Sequence, residues 1–225
     1  METQRLNPYL LPHKGLRNLL AKVSFLAGNL DYTSVHEVEQ LKLFARELFY
    51  LLEQHAQVEE SVVLPELEQK APGSTQENHE EHEFLEAIIT KLDKQTEQLS
   101  VESTPTDFLD FFLDISDFHS KYLAHMLMEE REVLKAIWAN FTDEELIAQH
   151  HRILSSFTPE KILRWFRFIV PALNPQERKI VLGGMKANAP KVFFSELLEV
   201  IKAEMPEFAF ANLVKSLEEK ELSNS

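Results

Sequence analysis

The chain has 225 residues, 44% apolar and 27% charged, long enough for a sizeable core and ordinary for a globular protein. It contains no cysteine, which excludes disulfides, zinc–thiolate sites, iron–sulfur clusters and thiol catalysis. The net charge of −14 is uneven: residues 1–140 hold 25 acids against 12 bases and residues 141–225 hold 12 against 11, which argues against a nucleic-acid partner.

The N-terminal run METQRLNPYLLPHKG lacks a basic segment, an apolar core and a small-residue cleavage site, and no stretch approaches the roughly 18 unbroken apolar residues of a membrane helix. The expectation is a cytoplasmic protein with no membrane contact. Only 5 glycines are present, which disfavours tight hairpins and leans the class towards helix.

Helix-start signals then mark the chain in order. Ser34–Glu37, Ser74–Glu77 and Thr142–Glu145 fit the capping box, and Thr104-Pro105, Thr158-Pro159 and Asn174-Pro175 each set a capping residue before a proline. Asn29, Ala71-Pro72-Gly73 and Ser100–Ser103 read as breaks. The predicted helices span about 12–29, 34–70, 75–99 and 105–140, followed by shorter ones near 143–156, 159–172, 175–188, 190–204 and 206–221. Pro65 is expected to kink the second. Four long helices with short connections predict an all-α, antiparallel up-down four-helix bundle over residues 1–140. Residues 141–225 are expected to form a helical extension that packs on the bundle or mediates interactions.

The sequence repeats internally. His55-Ala-Gln-Val-Glu59-Glu60 aligns with His125-Met-Leu-Met-Glu129-Glu130 at an offset of 70, with Val63, Leu64 and Leu67 on Val133, Leu134 and Ile137. The first and third helices align at an offset of 69: His13 on His82, Leu16 on Leu85, Leu20 on Ile89, Val23 on Leu92. Each half therefore carries one His on its first helix and H-x-x-x-E on its second. Of nine histidines the repeat selects four; His79, His119 and His36 align with Leu10, Phe49 and Thr106.

Positions i and i+4 share a helix face, so His55/Glu59 and His125/Glu129 each present a nitrogen and a carboxylate to one point. His13 and His82 lie on their helices' apolar stripes and face the bundle interior. Buried carboxylates require pairing, hydrogen bonding or a metal. Four imidazoles and two carboxylates suit a pair of borderline cations.

This pattern, H…H-x-x-x-E…H…H-x-x-x-E over roughly residues 8–140, resembles the hemerythrin-like (HHE cation-binding) family. The resemblance implies a four-helix bundle of the hemerythrin type with two non-haem iron ions (Fe2+/Fe3+) joined by an oxo or hydroxo bridge. His13, His55, His82 and His125 would be the terminal ligands, and Glu59 and Glu129 the bridging ones. The chain departs from oxygen-carrying hemerythrins, which have an H-x-x-x-H pair on the third helix. It is more similar to the branch that includes iron-sensing ubiquitin-ligase subunits, although no F-box, RING or zinc-finger sequence is visible and the residue after His55 is Ala56.

His79, Glu60, Glu130 and Tyr122 are the further candidates. His79 is a candidate fifth imidazole or else an exposed residue; Glu60 and Glu130 are expected either to face solvent or to orient imidazoles, and Tyr122 to pack or to hydrogen-bond a ligand. The leading functional expectation is binding or sensing of oxygen-related small molecules (O2, NO, peroxide) or of iron. One alternative is a di-iron enzyme acting on peroxide or ferrous iron, disfavoured because H-x-x-x-E reverses the E-x-x-H order of carboxylate-rich oxidases. Another is a regulatory module whose extension responds to metal occupancy, with a protein partner or a homodimer formed through the C-terminal helices.

Overall fold

The computed structural model describes residues 5–222, with side chains described to residue 218. The outermost residues of the two expected ranges, 1–140 and 141–225, lie outside it. Among the described residues every regular element is helical, so the protein is all-α. Two compact units divide the chain, Met1–Ser156 and Phe157–Ser225.

The first unit is built on α1 (Leu10–Asn29), α2 (Val35–Val58), α4 (Gln76–Gln98) and α5 (Pro105–Met128). Helix α1 packs on α2 and α5, and α4 packs on α2 and α5, which closes a four-helix ring. Their buried stripes follow helical spacing: Leu16, Leu19, Leu20 and Val23 on α1, and Leu85, Ile89 and Leu92 on α4. Ser34 Oγ accepts from Glu37 N at the start of α2, and Thr104 and Asp107 form a complete capping box on α5. The box expected at Ser74–Glu77 is not formed. Thr75 is the N-cap and turns its hydroxyl onto Glu68 Oε2 at 2.8 Å, while Glu68 Oε1 accepts from Gly73 N at 2.7 Å. Gly73, at φ +84, makes the reversal that this arrangement needs.

Helix α2 does not stop at Val58. A π-helical turn, Glu59–Val63, carries it into α3 (Leu64–Lys70), and a second, Glu129–Val133, carries α5 into α6 (Leu134–Asn140). The two turns are repeat partners. Proline does not cause them, because Pro65 of the first half is Lys135 in the second. The inward-facing run explains them better. His55, Glu59, Val63 and Leu67 are all buried and spaced by four, as are His125, Glu129, Val133 and Ile137. On a helix of 3.6 residues per turn such a run drifts by about 40° at each step. A wider π turn takes back part of that drift and keeps the run facing inward.

Beyond the carboxylates, Tyr9, Val63, Leu64, Leu67, Val133, Leu134 and Ile137 form an apolar cluster with Phe141 and Leu146. Leu146 belongs to α7 (Asp143–Ser155), which therefore sits within the first unit. Lys70–Glu145 at 2.8 Å, Arg152–Glu66 at 2.6 Å and Gln149–Glu66 at 3.0 Å tie α7 to the end of the long helix.

The second unit holds α8 (Pro159–Ala172), α9 (Pro175–Asn188), α10 (Lys191–Lys202) and α11 (Glu207–Leu222). Its own core gathers Val170, Leu182, Phe194, Leu197, Ile201, Met205, Leu213 and Leu217. At the C-terminal end of α8, where the last carbonyls lack i+4 donors, Arg178 donates to those of Val170 (2.9 Å) and Pro171 (2.7 Å). No described helix is long and apolar enough to cross a membrane.

Candidate metal centre

Six side chains named by the repeat meet inside the bundle. His13, His55, Glu59, His82, His125 and Glu129 are all buried, at 8% exposure or less. They form two groups whose potential ligand atoms lie within 4.8 Å of one another: His13/His55/Glu59/Glu129 and Glu59/His82/His125/Glu129. Both carboxylates belong to both groups.

The distances show how each carboxylate divides itself. Glu129 Oε2 lies 3.3 Å from His13 Nε2, and its Oε1 lies 3.3 Å from His125 Nε2. Glu59 Oε1 lies 3.6 Å from His55 Nε2, and its Oε2 lies 3.3 Å from His82 Nε2. Each carboxylate thus offers one oxygen to each imidazole pair. The pairs are alike: ring centroids are 4.9 Å apart in both His13/His55 and His82/His125, with near-perpendicular planes.

All four imidazoles turn Nε2 inward, and three have Nδ1 held by a carboxylate. Glu130 Oε1 accepts from His13 Nδ1 at 2.9 Å, Glu60 Oε1 from His82 Nδ1 at 2.6 Å, and Glu81 Oε2 from His125 Nδ1 at 2.7 Å. A proton fixed on Nδ1 leaves the Nε2 lone pair for a metal. Glu130 is itself gripped by Arg17 through two bonds of 2.6 and 3.0 Å.

Electrostatics agree with a site short of positive charge. Burial and the neighbouring Glu129 push the Glu59 carboxyl up to about 8. Burial also acts on Glu129, but the adjacent His13 and His82 imidazoles and the charge of His125 and His55 hold it well below the usual carboxylate range. Burial disfavours charge on His82 too, yet the nearby Glu129 and Glu59 carboxylates outweigh that and raise it to about 11. Burial, with His13 beside it, holds His55 well below its ordinary value. Both oxygens of Glu59, Oε2 of Glu129 and Nε2 of His82 and His125 are buried without a hydrogen-bond partner. Oxygens and imidazole nitrogens converging in a buried interior fit divalent cations, the chemistry that would satisfy all of them together.

The remaining candidates are sorted by the same geometry. His79 is not part of either group. It is partly exposed, its Nδ1 bonded to Glu60 Oε2 at 2.6 Å and its Nε2 3.3 Å from Thr75 Oγ1. Glu60 therefore bridges His79 and His82 with separate oxygens. Tyr122 is buried with its ring edge-on to His125 at 5.5 Å. His119 lies away from the centre, against Ser24 Oγ at 2.9 Å.

Three contacts escaped the reading of the sequence. Tyr9 is 1% exposed, its ring 5.0 Å from His13 and its hydroxyl unpartnered, and burial together with Glu59 and Glu129 raises it well above its ordinary value. Asn78, 1% exposed, donates to Glu129 Oε1 at 3.2 Å. These two are repeat partners, each four residues before the inward His of its helix, so the signal was a polar residue on the buried stripe. Glu81 is the third; its repeat partner is Pro12, and nothing in the pattern singled it out.

A family model described as hemerythrin HHE cation binding domain matches residues 9–137. A zinc finger protein described as BRUTUS-like, from Arabidopsis thaliana, is 24% identical over 188 residues, covering 83% of this chain and 15% of that protein. The chain thus spans a small part of that relative's length. No solved structure matches.

Proposed function

The chain belongs to the hemerythrin HHE cation-binding family, and from that premise we propose that it is a non-haem di-iron protein that binds or senses iron or a small oxygen-related molecule such as O2, NO or peroxide. The observation that carries this reading is the division of the two buried carboxylates. Glu59 and Glu129 each turn one oxygen to His13/His55 and the other to His82/His125. Two ions bound there would be held by His13, His55, His82 and His125 together with Glu59 and Glu129.

Iron so bound would supply reversible redox chemistry and affinity for small oxygen-related ligands. The residues of the chain hold and orient. Glu130, Glu60 and Glu81 fix the rings of His13, His82 and His125, and Arg17 fixes Glu130. Two ions held by four nitrogens and two carboxylates would have few protein donors each, which supports a small exogenous ligand. The apolar cluster around Tyr9, Leu64 and Leu134 excludes bulk water from one end of the site.

Anaerobic titration with ferrous ion is expected to end at two ions per chain, and subsequent exposure to oxygen to produce a near-ultraviolet absorption band. A Glu59→Ala/Glu129→Ala double variant that bound iron with unchanged stoichiometry would overturn the reading.

A further inference from the structure

The two halves of the bundle share one plan, but the grooves flanking the site are not alike. Between α2 and α4 lies a cavity of about 260 Å³ that reaches from the surface to His82 and Tyr122. Glu53, Glu60, Glu83 and Glu86 line it together with His79, and no lysine or arginine is among its lining residues. Leu52, Ala56, Leu85 and Ile89 form its apolar walls.

The repeat identifies the corresponding groove in the other half, between α5 and α1. There Leu123 stands where Glu53 does, Lys14 where Glu83 does and Arg17 where Glu86 does. Met126, fully buried, stands where the first half has the small Ala56. One groove is thus open and acidic; its counterpart has a long buried side chain where the first has Ala56, and two basic residues where the first has Glu83 and Glu86.

We infer that the α2–α4 cavity is the route by which divalent cations reach the buried centre, with Glu53, Glu83 and Glu86 drawing them in from solvent. The inference rests on the metal-binding reading above. A cleft lined by one sign of charge, with low-dielectric walls, concentrates counter-ions and raises association rates by roughly 10–10³. The three carboxylates are exposed at the mouth, and at the inner end His82 belongs both to the cavity wall and to a group of convergent ligand atoms. The opposite groove has Lys14 and Arg17 in place of Glu83 and Glu86 and the larger, buried Met126 in place of Ala56, so the inferred uptake is one-sided in an otherwise two-fold site.

The test is a rate. Metal-free chain is mixed with ferrous ion under anaerobic conditions and quenched at intervals with a ferrous chelator that captures only unbound ion. Glu53→Gln/Glu83→Gln/Glu86→Gln is expected to take up iron about tenfold more slowly at low ionic strength, with a weaker salt dependence and an unchanged final stoichiometry. Ala56→Met, which copies the residue of the opposite groove, is expected to slow uptake at every salt concentration, and Leu123→Ala to leave it unchanged. Wild-type rate and salt dependence in the triple variant, at full stoichiometry, would overturn the route. A wild-type chain that takes up no ferrous ion at all would instead overturn the metal reading beneath it.

Discussion

Glu60 Oε1 lies 2.6 Å from His82 Nδ1, so a carboxylate of the first half of the repeat orients an imidazole of the second. Glu130 returns the contact to His13 at 2.9 Å. The halves are interlocked through these pairs as well as through the shared Glu59 and Glu129. Removing such an orienting carboxylate typically costs 10–100-fold in metal affinity. Glu60→Ala and Glu130→Ala are each expected to weaken iron binding by about that factor with the stoichiometry intact. Competition against a chelator of known affinity measures it, and an unchanged affinity in both variants would remove the orienting role.

Glu59 sits 2% exposed with both oxygens unpartnered, its carboxyl pushed up to about 8. An acid whose folded pKa lies above its unfolded value costs stability once the pH rises past the unfolded value, and increasingly so up to the folded one. In the metal-free chain, Glu59→Met is therefore expected to stabilise the fold at pH 7 by about 2 kcal/mol, with the gain shrinking towards pH 4. The same variant should lose the rise in melting temperature that metal gives the wild type. A metal-free Glu59→Met chain less stable than wild type at pH 7 would contradict the account.

The metal-free site also holds protons that a metal must displace. At pH 7 Glu59, at about 8, and His82, at about 11, are both on the protonated side of their midpoints. Binding is expected to release at least one proton per chain at pH 7 and to tighten as the pH rises towards 8. Calorimetric titrations in buffers of different ionisation enthalpy would count the protons. A buffer-independent binding heat would show that none is released.

His119, remote from the centre, provides a separate pH signature. Burial lowers its pKa, and Ser24 Oγ lies 2.9 Å from its Nδ1. A base with a depressed folded pKa contributes full stability above its unfolded value near 6.5, and that contribution is lost as the pH falls through the folded value. His119→Gln keeps a polar partner for Ser24 but cannot titrate. Its denaturant midpoint is expected to decline less than that of the wild type from pH 7 to pH 5, while metal stoichiometry stays the same. Parallel declines in the two proteins would assign that limb to other groups.

The helices, the two-fold repeat and the six convergent side chains were legible in the sequence because each is local or periodic. Capping residues, apolar spacing and H-x-x-x-E act within one or two turns, and a repeat can be read by alignment with itself. The π turns left a trace that a 3.6-residue period hides: inward residues at 55, 59, 63 and 67, and again at 125, 129, 133 and 137. The unformed box at Ser74 was a local signal overridden by Glu68, which takes both the Thr75 hydroxyl and the Gly73 N–H.

By itself, then, the sequence determined which residues face inward and that they come in two equivalent sets. The tertiary structure decided what lies between separate helices, where distance along the chain carries no information. It set which oxygen of Glu59 and Glu129 meets which imidazole, joined Glu81 to His125 and Asn78 to Glu129, and left His79 on Glu60 outside both groups. It also formed the cavity between α2 and α4, because whether the small Ala56 leaves space depends on the side chains packed across from it.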